Sequence, residues 1–558
     1  MRIKLGVLQK LAGFILGHRA PKAYRGRKGR GFKGINELSD SDDISRREEV
    51  FQDLPLKTRL EDNLQLIRRI TGESYDISIK EFLSGPEKVP AALLYIDGLA
   101  DVKALEELLR TVKIDIFLTG LEDVHKKDIL ETTRQRLTNV AESEIVEDLA
   151  GLYYGISIGR AALLFDGSAQ ALIYETQGWN VREVTEPGAE ASIRGIREGF
   201  VESIRTNTSL IRRRIRSPNL WIESMEIGDL SKTEVAFAYI KGLAGEEMLG
   251  ELRSRLKRIE LDGILASGYI EEFISDNPCS LFPSILSTER VDRVVGSLLE
   301  GRVAIFVNGS SFALVLPADF GLFLQAPDDY FEPFPLGAFI RFLRYISFFI
   351  ALFLPGIYVA VLTFHPELLP LPLLVRIQAA REGVPFPVVA ETFFMEAVFE
   401  ILREAGVRLP MIVGPAVSIV GALVLGDAAI RAGLVSPGTV IAVAFTAIAS
   451  FTAPSFNFGL AARILRFVMI ILGAVFGLLG IQFGLLVLLI HLVSLRSFGY
   501  PYMAPFAPFI WGDMKDALLN LFWWKHVYRP KLLGYREPKR QPSGQKPQPP
   551  QEKRGNPH

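Results

Sequence analysis

Four uncharged stretches crowd the last 215 residues of this 558-residue chain: Tyr345 to Phe364, Leu409 to Gly426, Ala432 to Ala462 and Phe467 to Leu495. No comparable run precedes them. About 20 apolar residues at about 1.5 Å each cross a hydrocarbon layer of roughly 30 Å, so the first and fourth are long enough to span and the second is barely so. The third is interrupted by Pro437 and Pro454, which leaves a short piece near 438–453. Proline ends a helix unless neighbours satisfy the freed carbonyls. Spans are therefore expected near 345–364, 409–426, 438–453 and 467–490. Arg341 and Arg344 precede the first, and Arg496, Lys515, Lys525, Arg529 and Lys531 follow the last. Basic flanks mark the cytoplasmic side. Both ends of the chain are then cytoplasmic and four crossings are favoured over three, although Arg463 and Arg466 fall on the wrong side.

Between the first two stretches, Phe386 to Val407 reads as an amphipathic helix carrying Glu391, Glu396, Glu400, Arg403 and Glu404 among phenylalanines and valines. Charges at about 2.5–3.5 kcal/mol each forbid a lipid-facing span, but allow an interfacial or water-lining helix. In the fourth span Gly473, Gly477, Gly480 and Gly484 share one face, which predicts close helix packing, with a hinge or a backbone-lined passage as the alternative. Ala442, Thr446, Ala449 and Ala453, with Ser450 beside them, give the third span a narrow face of small side chains. That face is either packing surface or pore wall.

The formal charge of zero conceals a segregation. Residues 1–33 hold ten Lys/Arg and no acid, residues 525–558 hold nine Lys/Arg and two acids, and the body between carries 61 acids against 44 basic residues. The basic arm, assigned to 1–60, suits anionic membrane lipid or a solvated terminus. The Pro-rich end of the 513–558 segment is expected to be disordered. A single cysteine, Cys279, permits no internal disulfide.

Residues 61–330 contain a duplication. Tyr95 to Leu109 matches Tyr239 to Arg253 at eight of fifteen positions, and Gly159 to Ile173 matches Gly301 to Val315 at seven of fifteen. The offsets, 144 and 142, agree, so two copies of one subdomain are expected: α/β lobes over 61–185 and 217–330. Asp166-Gly167 and Asn308-Gly309 mark hairpin turns, because these dipeptides supply positive φ at little cost. A thioredoxin-like topology is one fold class for the lobes. The absence of Cys-x-x-Cys removes redox chemistry from it. Between the copies, 186–216 reads as a basic linker with a helix over 193–215, carrying Arg194, Arg197, Arg205, Arg212, Arg213 and Arg214. Without interleaved aromatics it does not read as a nucleic-acid surface; a solvated or intersubunit helix and a phospholipid contact are the alternatives. No phosphate loop, zinc motif or nucleophile elbow occurs, so no catalytic residue, metal or cofactor is assigned and the chain does not read as an enzyme.

Several segments resemble one family. They are Pro187-Gly188 through Ser192-Ile193-Arg194-Gly195 and Arg197-Glu198-Gly199-Phe200, then Arg205-Thr206-Asn207-Thr208 to Arg212-Arg213-Arg214. Arg381-Glu382-Gly383-Val384-Pro385-Phe386-Pro387, Arg403-Glu404-Ala405-Gly406-Val407-Arg408-Leu409-Pro410 and Gly421 to Ser436-Pro437 follow. Together they resemble the A subunits of GerA-type nutrient germinant receptors of endospore-forming bacteria, over about 61–515. The resemblance implies two related cytosolic lobes, a multi-span domain over about 335–512 and residence in the spore inner membrane. It implies a transporter-like B subunit and a lipoprotein C subunit as partners, and a homo-oligomer, pentameric in the family, that releases monovalent ions. On this reading Glu391, Glu396, Thr446 and Ser450 are ion-path residues, with salt bridges from the two carboxylates to Arg381 or Arg403 as the plainer role. A secondary transporter and a non-conducting membrane scaffold are the competing classes.

Overall fold

The computed structural model describes Arg47, residues 51–52 and residues 54–547 apart from 86–87, 116–132, 134–142, 179–186, 189, 191–193, 409–424, 519 and 534–536. Nearly all of the basic arm, the second expected span except its last two residues, and the last residues of the Pro-rich tail lie outside the described residues.

Lobe 1 runs from α1 (Leu60–Thr71) through β1 (Ile77–Ser84), β2 (Val89–Ile96), α2 (Val102–Arg110), β3 (Ser143–Val146), α3 (Leu149–Ser157) and β4 (Ala161–Phe165) to β5 (Ala171–Tyr174). Lobe 2 repeats the series with α4 (Ile204–Arg214), β6 (Leu220–Ile227), β7 (Thr233–Ile240), α5 (Glu246–Lys257), α6 (Ser267–Ile274), β8 (Leu286–Thr288), α7 (Val291–Leu299), β9 (Val303–Val307) and β10 (Ala313–Leu316). The sheet orders are β1-β2-β4-β5-β3 and β6-β7-β9-β10-β8, the same permutation twice. Every pair is antiparallel. That differs from the thioredoxin-like expectation, whose sheet needs a parallel pair. The stretch between β2 and β4 contains α2, β3 and α3, so the chain re-enters the sheet in the opposite sense instead of making a single-helix crossover. β2 and β7 are buried along nearly their whole length, as their unbroken apolar sequences require.

The duplicated segments hold each other. Gly159 and Gly301, at φ 93° and 94°, end the helices before β4 and β9. A Cβ on Gly159 would lie 2.8 Å from the Leu99 carbonyl oxygen, and one on Gly301 2.9 Å from that of Leu243. Leu99 and Leu243 belong to the first matched segment, so the two sequence matches are the two sides of one contact.

The basic segment is corrected by the same symmetry. Its helix is shorter than expected, Ile204–Arg214, begins at Ser203, whose hydroxyl accepts from Thr206 N at 3.5 Å, and is the first helix of lobe 2 and not a linker. Asn207 accepts from Val201 N at 2.8 Å and donates to Val201 O, as Asn63 does with Lys57 at 2.8 and 2.7 Å. Asp166 Oδ1 accepts from Leu60 N at 3.0 Å and Asn308 Oδ1 from Ile204 N at 3.3 Å, capping α1 and α4 alike.

After lobe 2 come two short helices, α8 (Phe320–Leu324) and α9 (Asp328–Phe331), and then α10 (Phe334–Phe364), α11 (Leu371–Arg381), α12 (Val388–Arg408), α13 (Pro437–Ser450) and α14 (Phe456–Ser494). Two of these, α10 and α14, are long and apolar enough to cross a membrane. α14 is not one straight rod. Gly477 sits at φ 62° and ψ −146°, outside helical geometry. A Cβ on Gly480 would meet Leu472 O at 2.2 Å and one on Gly484 would meet Met469 Sδ at 2.7 Å, contacts across 8 and 15 positions that a straight helix places about 12 and 22 Å apart. Residues 456–476 and 478–494 are therefore antiparallel legs of a hairpin that reverses at Gly477. The expected fourth span, 467–490, is replaced by a there-and-back pair. Proline-free apolar sequence fixes helix but not direction; the one residue able to take positive φ without penalty fixes the reversal.

One apolar core joins lobe 2 to these helices. Phe323 stacks on Phe458 at 5.5 Å, Phe348 on Phe458 at 4.9 Å, and Phe320 meets Phe348, Phe458 and Tyr502 edge-on. Part of the C-terminal segment expected to be disordered also packs here: Arg529 donates to Leu299 O at 2.9 Å, and Tyr528 bridges Lys539. The Arg529 guanidinium finds carbonyls, those of Leu299 and Glu537, that a floppy tail would leave to water.

Candidate functional site

Glu391, Glu396, Glu400 and Arg403 of α12 are turned inward, while Glu404 and Arg408, 65% and 78% exposed, pair with each other at its end. Val388 packs near Val359, Leu362 and Ile470, which lays α12 against α10 and the first leg of α14. From there Glu391, Glu396 and Glu400 project into helix contacts. Glu391, 1% exposed, accepts from Arg381 at 3.0 Å, from Ser436 N at 2.8 Å and from Thr439 Oγ1 at 3.1 Å. Glu396 and Arg466, both fully buried, form an ion pair, and Arg466 also donates to Ala351 O of α10 at 2.8 Å. Arg463 reaches Glu400 at 3.2 Å. The two arginines that sat on the wrong side by the basic-flank rule are thus the internal partners of the α12 carboxylates. Of the plainer partners expected, Arg381 holds Glu391. Arg403 does not hold Glu396: it donates to Ser450 and lies over the rings of Phe399 and Phe451 at 5.2 and 4.7 Å.

Thr446 is fully buried and returns its hydroxyl to Ala442 O at 2.8 Å, while Ser450 donates to Ala447 O at 2.7 Å. All four ion-path candidates therefore lie on the α12–α13 pair, two of them in buried ion pairs. Of the glycines, Gly473 abuts Gly356 of α10, where a Cβ would come 2.4 Å from its carbonyl oxygen. Gly480 and Gly484 pack leg on leg, and Gly477 makes the turn.

A second polar cluster lies where lobe 2 meets α10. Asp329 accepts from Arg341 at 3.1 Å and Arg344 at 2.6 Å, and its carbonyl accepts from Asn520 at 2.6 Å. Tyr330 donates to Asp516 at 2.8 Å, and Tyr345 to Ala517 O at 3.0 Å. Burial works against the Asp516 carboxylate, but Arg341, His526 and Tyr330 outweigh it and hold its pKa below the usual value. The cluster ties the end of lobe 2, the start of α10 and the C-terminal segment to one another. Its members come from 328–345 and 513–526, two segments that no sequence pattern links, and Arg341 and Arg344 read in the sequence as topology markers.

The third cluster joins the lobes. Arg212, 1% exposed, donates to both oxygens of Asp76 at 2.6 and 2.9 Å, to Ser74 Oγ at 2.8 Å and to Tyr153 OH at 3.0 Å. Burial disfavours its charge, yet Asp76 and Tyr153 raise its pKa above the ordinary arginine value. The other basic candidates are dispersed: Arg194 faces Glu332 at 3.4 Å, Arg213 and Arg214 share Glu198, and Arg205 is exposed. Arg197 is also engaged. They form no continuous basic surface. Among the described residues no group of His, Cys, Asp or Glu is placed to hold a metal ion.

The family model described as Bacillus/Clostridium GerA spore germination protein matches residues 65–532. The chain belongs to this family. Spore germination protein KA of Bacillus subtilis (strain 168) is 44% identical to this GerA-family chain over 488 residues, 87% of this chain and 89% of its own. Spore germination protein B1 of the same strain is 37% identical across 84% of this chain and 96% of its own. The N-terminal domain of the A subunit of the Bacillus megaterium spore germinant receptor GerK3, known from a crystal structure, is 36% identical, with 48% of this chain and 97% of that domain covered and a TM-score of 0.39.

Proposed function

We propose that this GerA-family chain is the A-type subunit of a nutrient germinant receptor, and that several copies form a ligand-gated channel for monovalent ions in the spore inner membrane. The transporter-like B subunit and the lipoprotein C subunit are its partners in this reading, pentamer its assembly, and the cytoplasm the location of both termini. The observation that carries it is the fully buried Glu396–Arg466 pair among apolar helices. Ionisable groups inside a membrane domain are costly and mark ion paths or the elements that gate them. The α12–α13 pair, with Glu391, Glu396, Thr446 and Ser450, is the gate element. In the closed arrangement Arg381 and Arg466 neutralise the carboxylates; opening exchanges those partners and presents acid to the path, which raises the local cation concentration. Lobe 2 drives the exchange, since its core continues into α10 and α14 through Phe320, Phe323 and Phe458.

The test is flux of monovalent cations through purified protein in liposomes, with and without its partner subunits, alongside the mass of the assembly. Unitary current steps from a complex weighing several multiples of 62.1 kDa are expected. A lone copy without current would leave an anchored scaffold, and saturable exchange without steps a carrier.

A further inference from the structure

Thr392, Glu396, Glu400 and Arg403 recur along α12 at i, i+4, i+8 and i+11, one face of the helix. Arg463 and Arg466 stand opposite, on the first leg of α14. Thr392, Glu396 and Arg466 are 0% exposed. Each of the six carries a buried polar atom that makes no hydrogen bond to the protein: Thr392 Oγ1, Glu396 Oε1, Glu400 Oε1, which has Arg466 Nη1 at 4.0 Å, Arg403 Nε, Arg463 Nε and Arg466 Nη2. Arg212, equally buried, has no such orphan. Arg341 Nη2, Asp329 Oδ1, Arg381 Nε and Arg160 Nε also make no hydrogen bond, but this one seam holds six of the fourteen such atoms among the described residues.

An unsatisfied buried polar group costs about 1–3 kcal/mol, more when charged, and a protein is stable by only about 5–15 kcal/mol in all, so six dry orphans are not tolerable. The orphans mix three guanidinium donors with two carboxylate acceptors and a hydroxyl that serves as either. No single ion or apolar group answers both kinds; water does. Charge points the same way. Two carboxylates face three guanidiniums, a net excess of one positive charge, which disfavours a bound cation while the pairs hold. The seam spans about 16 Å of helix. It is closed at Thr392 and opens towards the end of α12, where Glu400 is 24% and Arg408 78% exposed.

We infer that α12 and the first leg of α14 enclose bound water inside a single chain, a hydrated cul-de-sac that runs from Glu400 and Arg403 inward to Thr392. It is a water site within one subunit, separate from any path between copies, and it stands whether or not the chain conducts. Its water lets the Glu396–Arg466 and Glu400–Arg463 pairs exchange partners without crossing a dry intermediate.

X-ray radiolytic footprinting, which generates hydroxyl radicals from bound water in place, tests this on the full chain in lipid nanodiscs. In a C279S background, T392C is compared with V359C, whose parent valine is 0% exposed among Leu362, Val388 and Ile470. Oxidation of T392C at least tenfold faster than V359C is expected, with the difference abolished when E396L and R466L are added. Equal protection of the two thiols would overturn the inference. Cryo-EM of the unsubstituted chain gives an independent reading: water density within hydrogen-bond distance of Glu396 Oε1 and Arg466 Nη2 supports it, and rotamers that pair the six atoms directly with one another refute it.

Discussion

Arg68 and Arg212 occupy the same place in the duplication, 144 residues apart, on the last turns of α1 and α4. They live in opposite surroundings. Arg68 pairs with Glu81 at the surface, with side chains 41% and 52% exposed, whereas Arg212 and Asp76 are both 1% exposed. Duplication copied the helix, its asparagine latch and the hairpin cap that starts it; docking of lobe 1 against α4 decided which arginine would be buried. Asp76, Ser74 and Tyr153 all belong to lobe 1, so the partner set of Arg212 exists only because a second lobe arrives. The lobes therefore have the same fold but different duties. Lobe 2 is the middle member, gripped by lobe 1 through Arg212 and continuous with the apolar helices α10 and α14 through Phe320, Phe323 and Phe458.

Breaking this asymmetry should have the largest effect. R212A strands the Asp76 carboxylate in the interface, and losing one partner of a buried pair costs about 3–5 kcal/mol. R68A, the same change in the other copy, should stay within about 1 kcal/mol. Denaturation of the full chain followed by fluorescence of Trp221, which packs on Gly72 across the lobe boundary, measures both. Equal losses would show that the burial difference has no energetic weight.

The shared contacts should instead respond alike. G159A and G301A each force an alanine into positive φ and drive a methyl group against a carbonyl, at about 2–4 kcal/mol apiece. N63A and N207A each remove two hydrogen bonds and should cost about 1–3 kcal/mol, to within about 0.5 kcal/mol of each other. A large difference within either pair, read as shifts in denaturant midpoint, would mean that the lobes are not energetically equivalent where their geometry matches.

The smallest effect is a pH dependence assigned to lobe 2. Burial alone pushes Glu271 of α6 up to about 7. A carboxyl whose folded pKa is raised binds its proton more tightly when folded, so its contribution favours folding at low pH. That contribution fades as pH rises from about 4.3, the unfolded value, to about 7, and is constant above. The loss should be about 1–2 kcal/mol given partial exposure, and E271Q should flatten stability across this window. An unchanged slope in E271Q would assign the dependence elsewhere.

Much of this molecule was legible in sequence, and the failures share a cause. The two repeats were found by identity, and their hairpin turns by Asp-Gly and Asn-Gly. The same offset also held the clue that was missed: Asn63 and Asn207 are 144 apart, which places the basic segment inside lobe 2 as its first helix. Hydropathy locates the apolar α14 but measures only how much of it is apolar; of the packing and hinge roles open to the glycine stripe, Gly477 takes the second, as the reversal. Arg463 and Arg466 were read as flanking charges because charge rules assume solvent nearby, and here the neighbour is Glu396 or Glu400 from a helix about 65 residues earlier.

The chain's own order of residues settled local matters: which segments are apolar enough to be buried or to span, where turns need glycine, and that one lobe exists twice. Those depend on interactions within a few residues or on internal identity. The tertiary structure alone decided which of two equivalent arginines is buried, which arginine neutralises Glu396, and in which direction the last apolar helix runs. Each of these is a choice among partners distant in sequence, and desolvation makes a charge either cheap or costly according to who is beside it. That neighbour is a property of the packed chain, not of any stretch of it.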